Sequence, residues 1–240
     1  DPAAVFPEAR VIEAKGQLLM PAMTDAHTHL LSTQEFSGLP VAELIERAAE
    51  VGVHRLVEVG CDLPSSRGAI EIAQNHPAVV ACVAIHPNDA ARAGDRLPAE
   101  LDALEALVAD EHVRGIGETG LDYYRTRDDE GKRLQKHSFA AHLAWAREHD
   151  LAIVIHDRDA HADTMDIVRE FPRVRGVFHC FPGSVEMARE LVDRGWYLSF
   201  NGAATFKNAR KAPEVIRAVP MERLMIETDA PYLTPVPYRG

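Results

Sequence analysis

Short apolar runs, separated by amphipathic stretches, repeat along the whole chain. Eight of these runs are rich in branched residues, which is typical of strands buried on both faces of a parallel sheet. The predicted strands are Leu18–Ala26, Arg55–Val59, Val79–Ile85, Arg114–Glu118, Leu151–Ile155, Arg175–Phe178, Trp196–Phe200 and Leu224–Glu227.

The stretches between the runs carry the three-and-four spacing of a single helix face. The spacing is seen in Val41, Leu44, Ile45, Ala48 and Val51, and again in Leu101, Leu104, Leu107 and Val108. Ser184 is placed as an N-cap before a helix over Val185–Val192. Further helices are predicted over about residues 130–149, 160–171 and 207–218.

Strand–helix alternation of this kind favours right-handed crossovers and a parallel sheet. Eight strands in 240 residues predict one α/β domain, a closed (β/α)8 TIM barrel that spans residues 1–240. Residues 1–22 are expected to be an N-terminal extension that leads into the first strand. Beyond the eighth predicted strand and residues 228–230, only Pro231–Gly240 remain, so we expect the closing C-terminal helix to be missing from this chain.

The composition is that of a folded protein, with 46% hydrophobic and 26% charged residues. A net charge of −11 argues against a broad basic surface for nucleic acid, although a local site remains compatible with it. Three cysteines without a CxxC pair argue against a disulfide framework and for a reducing compartment. No apolar run reaches the ~18 residues of a membrane span. We therefore expect a cytoplasmic monomer that does not associate with membranes.

Histidines and carboxylates follow most of the predicted strands. His27 and His29 end the first strand two residues apart, so their side chains are expected to face the same side. The others are His86, Glu118, His156, His179, Glu227 and Asp229. Because the carboxyl ends of barrel strands meet at one rim, these groups are expected to converge there. Imidazoles and carboxylates together suit zinc, manganese, iron or nickel, and a bridging carboxylate suits a paired site.

Other residues with reactive side chains are given structural roles. Surface or capping roles are expected for His54, His76, His112, His137, His142, His149 and His161, which lie in predicted helices or turns. Cys61 follows the second strand, but no base is near it in sequence, so inert packing is expected. Cys180 is expected to face away from His179 and to pack as a small apolar residue.

Seven short motifs occur in order along the chain. They are Asp25–Leu30 (DAHTHL), Ala84–Pro87 (AIHP), Gly117–Tyr124 (GETGLDYY), Ile155-His156, Val177–Phe181 (VFHCF), Gly202–Asn208 ending in TFKN, and Glu227–Leu233 (ETDAPYL). In this order and spacing, the chain resembles the TatD-related DNase family of amidohydrolase-like metal-dependent hydrolases. The resemblance extends over about residues 23 to 239.

The resemblance implies a site for two divalent cations, which would be zinc, magnesium or manganese. The implied ligands are His27, His29 and Asp229 for the first cation, His156 and His179 for the second, and Glu118 as the bridge between them. Asp229 would also accept a proton from the metal-activated water, so Asp229 and Glu118 are the implied catalytic residues. His86 and Glu227 would bind substrate phosphate or a further cation.

The activity implied by the resemblance is hydrolysis of DNA phosphodiester bonds, by an exonuclease acting on single strands or strand ends. Arg158 and Lys207 follow the fifth and seventh strands and would hold the DNA backbone. The chain departs from the family pattern in two places. Residues 1–22 replace a short family start, and the loop after His29 looks short, which would open the mouth of the site.

Two other functions stay open. A small-molecule amidohydrolase, lactonase or phosphoesterase could use the same barrel, and Val11–Asp25 is similar to the entry of such enzymes. That class often bridges its metals with a carboxylated lysine on the fourth strand. Here Glu118 ends that strand, and no lysine occurs between Lys15 and Lys132. A non-catalytic barrel that only binds a partner would be expected to have lost ligands, yet all the implied ligand positions are filled.

Overall fold

The computed structural model describes residues 22–239, which form a barrel of parallel strands surrounded by helices. The strands are β1 (Met23–Thr28), β2 (Val53–Val59), β3 (Val79–Val83), β4 (Val113–Asp122), β5 (Ala152–Arg158), β6 (Gly176–Phe178), β7 (Tyr197–Phe200) and β8 (Leu224–Ile226). Each strand pairs in parallel with the next one in the sequence. The prediction of a (β/α)8 barrel is confirmed.

Helices follow the strands on the outside of the barrel. They are α1 (Leu30–Ser37), α2 (Val41–Glu50), α3 (Leu63–Asn75), α4 (Pro87–Ala93), α5 (Leu97–Val108), α6 (Asp129–Glu148), α7 (His161–Arg169), α8 (Val185–Asp193) and α9 (Ala212–Ala218). As predicted, Ser184 caps α8, and its hydroxyl oxygen accepts a hydrogen bond from the backbone N–H of Met187. Within residues 22–239 we find no helix with the length and apolar character needed to cross a membrane.

The element bounds differ from the prediction in several places. A short loop is predicted after His29, where the structure has helix α1. The helix predicted over residues 207–218 begins only at Ala212, because Pro213 favours the first turn of a helix. The predicted start of the first strand at Leu18 and the extension over residues 1–22 lie outside the described residues, except for residue 22.

Hydrogen bonds from the loop after β8 close the barrel against β1. The backbone N–H of Asp229 donates to the carbonyl oxygen of His27 (2.9 Å). The buried carboxylate of Asp25 accepts hydrogen bonds from the backbone N–H and the hydroxyl of Thr228, at 2.9 and 2.6 Å. This seam therefore brings Asp229 next to the histidines that end β1.

Glu58 on β2 explains why the chain turns into a helix directly after His29. Its buried carboxylate accepts hydrogen bonds from the backbone N–H groups of Leu30 (2.6 Å) and Leu31 (3.4 Å). These N–H groups are at the start of α1, where a helix offers them no internal partner. Burial raises the pKa of Glu58 to about 7, although both N–H groups act to lower it.

We expect Glu58 to make the free energy of unfolding depend on pH. Its carboxyl titrates near 4.5 in the unfolded chain and near 7 in the fold, so the folded state binds the proton more tightly. This contribution to stability is full below about pH 4.5 and is lost as the pH rises through about 7. Raising the pH from about 5 to about 8 should therefore lower the free energy of unfolding by about 2 to 3 kcal/mol through Glu58.

Denaturant unfolding of the wild type and of Glu58→Gln at these two pH values would test this expectation. As the pH is raised, the free energy of unfolding should fall by about 2 to 3 kcal/mol more in the wild type than in Glu58→Gln. A Glu71→Gln variant, changed at an exposed position on α3, should retain the wild-type dependence. An equal pH dependence in the wild type and Glu58→Gln would contradict the assignment.

Candidate metal centre

The alternation of side chains along the strands directs two histidines into the barrel. Val154 and Val177 belong to a cluster that joins residues of β2, β3, β5, β6 and β8, which can meet only inside the barrel. Ile155, between Val154 and His156, packs in the large core outside the strands. His156 therefore returns to the interior, two residues after Val154. His179 lies two residues after Val177 and follows the same rule.

A β-bulge turns Glu118 toward the same interior. In the register of β4 and β5, Gly117 and Glu118 together lie opposite the single residue Val154. The backbone N–H of Glu118 donates to the carbonyl oxygen of Gly60 (2.9 Å), just beyond the end of β2. β4 then continues to Asp122, so the predicted end of this strand at Glu118 is wrong by four residues.

Four donor atoms form the first donor set, and they come from β1, from the residue directly after β1, from β4 and from the loop after β8. Nε2 of His27 lies 3.1 Å from Nε2 of His29. Oε2 of Glu118 lies 3.4 and 3.7 Å from these two nitrogens, and Oδ1 of Asp229 lies 3.7 and 3.4 Å from them. Nδ1 of His29 donates to the carbonyl oxygen of Val59 (3.0 Å), so the lone pair of Nε2 faces the set.

The second donor set is built around the other oxygen of Glu118. Its Oε1 lies 2.7 Å from Nδ1 of His156 and 2.9 Å from Nε2 of His179. The two nitrogens are 3.3 Å apart. Nε2 of His86 lies 3.5 Å from the same oxygen. Glu118 is thus common to both sets, with one carboxylate oxygen in each.

The charges at this centre stabilise one another. Burial would raise the pKa of Glu118, but the imidazoles of His179 and His86 hold it well below its ordinary value. Burial would lower the pKa of His179, but Glu118 and Glu227 raise it well above its ordinary value. Glu118 therefore remains ionised, and its negative charge favours positive charge at the neighbouring donor atoms.

The first donor set has the spacing that a divalent cation requires, whereas Oε1 of Glu118 is at hydrogen-bond distance from both imidazoles of the second set, at 2.7 and 2.9 Å. Donors at about 2.0 to 2.1 Å from a tetrahedral cation are about 3.3 to 3.4 Å from one another. The measured separations in the first set run from 3.1 to 3.7 Å. Imidazole nitrogens and carboxylate oxygens are common ligands of zinc and manganese. The residues predicted to hold metal are therefore brought together.

A buried carboxylate, Asp122, stands behind His156. Its Oδ2 lies 3.4 Å from Nε2 of His156, on the side of the ring away from Glu118. Asp122 is fixed by the side-chain amide of Asn88 (3.2 Å) and the backbone N–H of Arg125 (2.8 Å). Although burial opposes it, His156 and these donors lower the pKa of Asp122 to about 2. Asp122 belongs to the motif Gly117–Tyr124, but the motif by itself predicts no role for it.

Glu227 stands behind His179 in the same manner. Its Oε1 lies 3.3 Å from Nδ1 of His179 and accepts hydrogen bonds from the backbone N–H of Cys180 (2.8 Å) and the amide of Asn201 (3.0 Å). The side chain is fully buried. Carboxylates in such positions fix the tautomer and the orientation of an imidazole ligand. Ligand atoms of His27, His179 and Glu227 also lie within 4.8 Å of one another, so the binding of phosphate or a further cation by Glu227 stays a prediction.

His86 lies at the edge of the centre, at the N-terminus of α4. Its Nδ1 accepts a hydrogen bond from the backbone N–H of Asn88 (3.2 Å), which leaves the ring hydrogen on Nε2. That Nε2–H is directed toward the centre, where Oε1 of Glu118 is 3.5 Å away. An N–H donor suits a phosphate oxygen, which agrees with the predicted contact of His86 with substrate.

Arg158 and Lys207 lie on the exposed rim around the two donor sets. Arg158 ends β5, two residues after His156, and its guanidinium lies 3.9 Å from the centre of the Tyr124 ring. Lys207 follows a short 3-10 helix, Gly202–Thr205. Within the described part of the chain, neither side chain forms an ion pair with a carboxylate, so both are accessible to an anionic ligand.

One expectation about a structural residue needs correction, and another stays a prediction. Cys61 does approach the mouth of the site, with its Sγ 4.0 Å from Nδ1 of His29 and 4.0 Å from Oε2 of Glu118, and its inert packing stays a prediction. His142 has no surface role, because it is fully buried on α6. Its Nε2 accepts a hydrogen bond from the backbone N–H of Ile85 (3.0 Å), and its Nδ1 donates to the carbonyl of Ser138 (2.6 Å). Burial lowers its pKa to about 4.

A parallel barrel with imidazoles and carboxylates at the carboxyl ends of its strands defines a metal-dependent hydrolase of the TIM-barrel class. The model of one protein family, described as TatD related DNase, matches residues 24–240. The chain belongs to this family, and it is a metal-dependent hydrolase.

Individual relatives agree with this assignment. The chain is 43% identical over 218 residues to the uncharacterized metal-dependent hydrolase YabD of Bacillus subtilis, covering 90% of this chain and 83% of YabD. It is 33% identical over 196 residues to a protein of Klebsiella pneumoniae named 3'-5' ssDNA/RNA exonuclease TatD, covering 80% and 73%. The crystal structure of the TatD homologue YjjV of Escherichia coli matches with a TM-score of 0.80 and 27% identity, covering 92% and 84%.

Proposed function

We propose that the chain is a deoxyribonuclease that depends on divalent metal and hydrolyses phosphodiester bonds at the end of a DNA strand. The observation that carries this proposal is the position of Glu118, with one carboxylate oxygen in each of two donor sets. Such a bridge is typical of paired-metal sites that act on phosphate esters. A nucleic-acid substrate is supported by the Klebsiella relative, which is named as an exonuclease.

In this proposal the two donor sets hold two divalent cations of zinc, magnesium or manganese. The ligands are His27, His29 and Asp229 for one cation, His156 and His179 for the other, and Glu118 for both. When bound, the cations supply activation of a water and neutralisation of charge on a phosphoryl oxygen. Asp122 and Glu227 hold the imidazoles of His156 and His179 in the orientation that ligation requires.

Asp229 is the proposed acceptor of the proton from the attacking water. Its side chain is 12% exposed, compared with 5% for Glu118, so it is the more accessible of the two carboxylates in the first set. Its backbone N–H is bound to the carbonyl of His27, which keeps the carboxylate directed into the set. Proton acceptance by a carboxylate fixed in this way is general base catalysis.

Three groups around the centre are proposed to hold the substrate. The Nε2–H of His86 can donate a hydrogen bond to an oxygen of the phosphate that is cleaved. Arg158 and Lys207 lie on the rim, where they would contact neighbouring phosphates of the strand. Since a few local positive charges suffice for such contacts, the overall charge of −11 does not oppose this function.

The proposal is tested by incubating the metal-loaded protein with end-labelled single-stranded DNA, with and without a metal chelator. Stepwise shortening that requires metal is expected, and the label shows which end is attacked. The same assay on RNA of matched sequence separates the two nucleic acids. His156→Ala should abolish cleavage, whereas His149→Ala, changed at an exposed position after α6, should cleave at the wild-type rate.

One outcome would overturn the nuclease proposal. If folded protein loaded in turn with magnesium, manganese, cobalt and zinc leaves every nucleic acid intact, the same centre must act on another substrate. Hydrolysis of lactones, cyclic amides or small phosphoesters by that protein would then establish the small-molecule alternative.

Glu227→Gln is expected to weaken metal binding without removing a ligand. An amide in place of the carboxylate loses the charge that orients His179, and changes of this kind typically cost about 10- to 100-fold in metal affinity. Competition with a chelating dye measures this affinity directly. Glu186→Gln, changed at an exposed position on α8, should bind metal like the wild type. Wild-type affinity in Glu227→Gln would show that this carboxylate does not orient the ligand.

A further inference from the structure

The thiol of Cys61 lies against the first donor set. Its Sγ is 4.0 Å from Oε2 of Glu118, which is a member of that set, and 4.0 Å from Nδ1 of His29. Ligand atoms of these three residues lie within 4.8 Å of one another. Among the described cysteines, Cys82 differs sharply, because it is buried in the apolar cluster inside the barrel.

The backbone holds Cys61 firmly in this position. Its N–H donates to the hydroxyl oxygen of Ser65 (2.9 Å), and its carbonyl accepts a hydrogen bond from the backbone N–H of His86 (2.8 Å). The carbonyl of the preceding residue, Gly60, accepts the backbone N–H of Glu118 (2.9 Å). The thiol and the bridging carboxylate are therefore fixed to the same short segment after β2.

We propose that Cys61 is an additional ligand, beside His29 and Glu118, for thiophilic divalent cations such as zinc, cobalt and cadmium. The inference rests on the metal centre of the proposed function. A sulfur at about 2.3 Å and an oxygen at about 2.0 Å from one cation lie at most about 4.3 Å apart, and zinc can expand to five ligands. The observed 4.0 Å between Sγ and Oε2 therefore allows Cys61 to join the four donors of the first set as a fifth ligand.

Ligation by Cys61 changes which cations the centre prefers. On coordination the S–H bond breaks, its proton passes to solvent, and the sulfur lone pair forms the bond to the cation. Thiolate ligands favour soft cations, whereas magnesium and manganese favour oxygen. The chain is therefore expected to bind zinc, cobalt and cadmium in preference to magnesium and manganese, by a margin that depends on Cys61.

The test is a titration of cobalt into the metal-free, full-length protein, followed by absorption spectroscopy. Cobalt in the centre gives visible bands, and ligation by a thiolate adds a sulfur-to-cobalt charge-transfer band in the near ultraviolet. This band is expected in the wild type, in Cys82→Ser and in Cys180→Ser, but not in Cys61→Ser. Cadmium affinity should fall by about tenfold or more in Cys61→Ser, while manganese affinity changes by less than about threefold.

The outcomes separate this inference from the proposed function. Visible cobalt bands without a charge-transfer band would overturn ligation by Cys61 and leave the metal centre intact. A band lost in Cys180→Ser and retained in Cys61→Ser would also overturn it. Absence of cobalt binding to the wild type would overturn the metal centre itself. If Cys61→Ser does not fold, alkylation of Cys61 in the wild type decides the question, because bound cobalt should protect a ligand thiol.

Discussion

Glu118→Gln is expected to lose DNA cleavage by about a thousandfold or more while keeping its fold. The amide has no negative charge and only one oxygen to offer, so it cannot place a carboxylate oxygen in each donor set. Losing about 4 kcal/mol of charge stabilisation in the transition state corresponds to a rate loss of this size. Elemental analysis should show fewer cations per chain than in the wild type, because one set loses its oxygen ligand and the other keeps only a neutral amide oxygen.

The control for this prediction is Glu148→Gln, an identical change at an exposed position on α6. It should match the wild type in rate and in metal content. Circular dichroism distinguishes lost chemistry from lost folding in the Glu118 variant. Wild-type cleavage by Glu118→Gln would refute the bridging role. Lost cleavage with unchanged metal content would mean that Glu118 contributes to the reaction in another way.

The architecture was largely predictable because the pattern of branched apolar runs depends on burial. A strand covered on both faces must be apolar throughout, so Leu151–Ile155 and Trp196–Phe200 are close to the observed strands β5 and β7. Helix α3 was missed although its start carries a signal. Asp62 and Ser65 form a capping box there. The sequence places Pro64 between them, in the first turn.

The candidate site was predictable wherever simple alternation applies. His27 and His29 are expected to face one side of a strand, and their Nε2 atoms are 3.1 Å apart, although β1 is irregular between Asp25 and Thr28 and His29 lies just after the strand. Alternation fails on β4, where the bulge at Gly117 and Glu118 shifts the phase. The predicted end of β4 is therefore four residues too early, and the sequence pattern does not reveal Asp122 as the partner of His156.

Contacts between distant parts of the chain are not visible in local sequence patterns. Glu58 caps α1 from a neighbouring strand, and no local pattern reveals that a carboxylate 28 residues away will accept the N–H of Leu30. The inert packing expected of Cys61 rests on the absence of a base near it in sequence. Its neighbours at the centre, His29 and Glu118, are 32 and 57 residues away along the chain.

Asp229→Asn is expected to reduce kcat by about 10²- to 10⁴-fold, the range for loss of a general base. An asparagine oxygen can still occupy the ligand position of Oδ1, but the neutral amide cannot accept the proton of the attacking water. At saturating metal the variant should therefore retain two cations and bind uncleaved DNA within about threefold of the wild type. Loss of kcat with retained binding separates this role from the bridging role of Glu118.

The backbone at Asp229 makes asparagine the appropriate replacement. Asp229 has a φ of 57°, in the left-handed region that asparagine tolerates better than most residues. The hydrogen bond from its N–H to the carbonyl of His27 should therefore be retained in the variant. The contact between the loop after β8 and β1 should be retained as well. Asp150→Asn is a matched control, because Asp150 has a φ of 51° and an exposed side chain remote from the centre.

Wild-type turnover by Asp229→Asn with both cations bound would place the proton acceptor elsewhere. Glu227 could not take over this role in the observed conformation, because its side chain is fully buried behind His179. Glu118 is also excluded, because both of its oxygens are committed to the donor sets. The proton of the attacking water would then have to pass to the substrate phosphate or to solvent. In that case Glu118 and Asp229 would affect the rate only by binding metal.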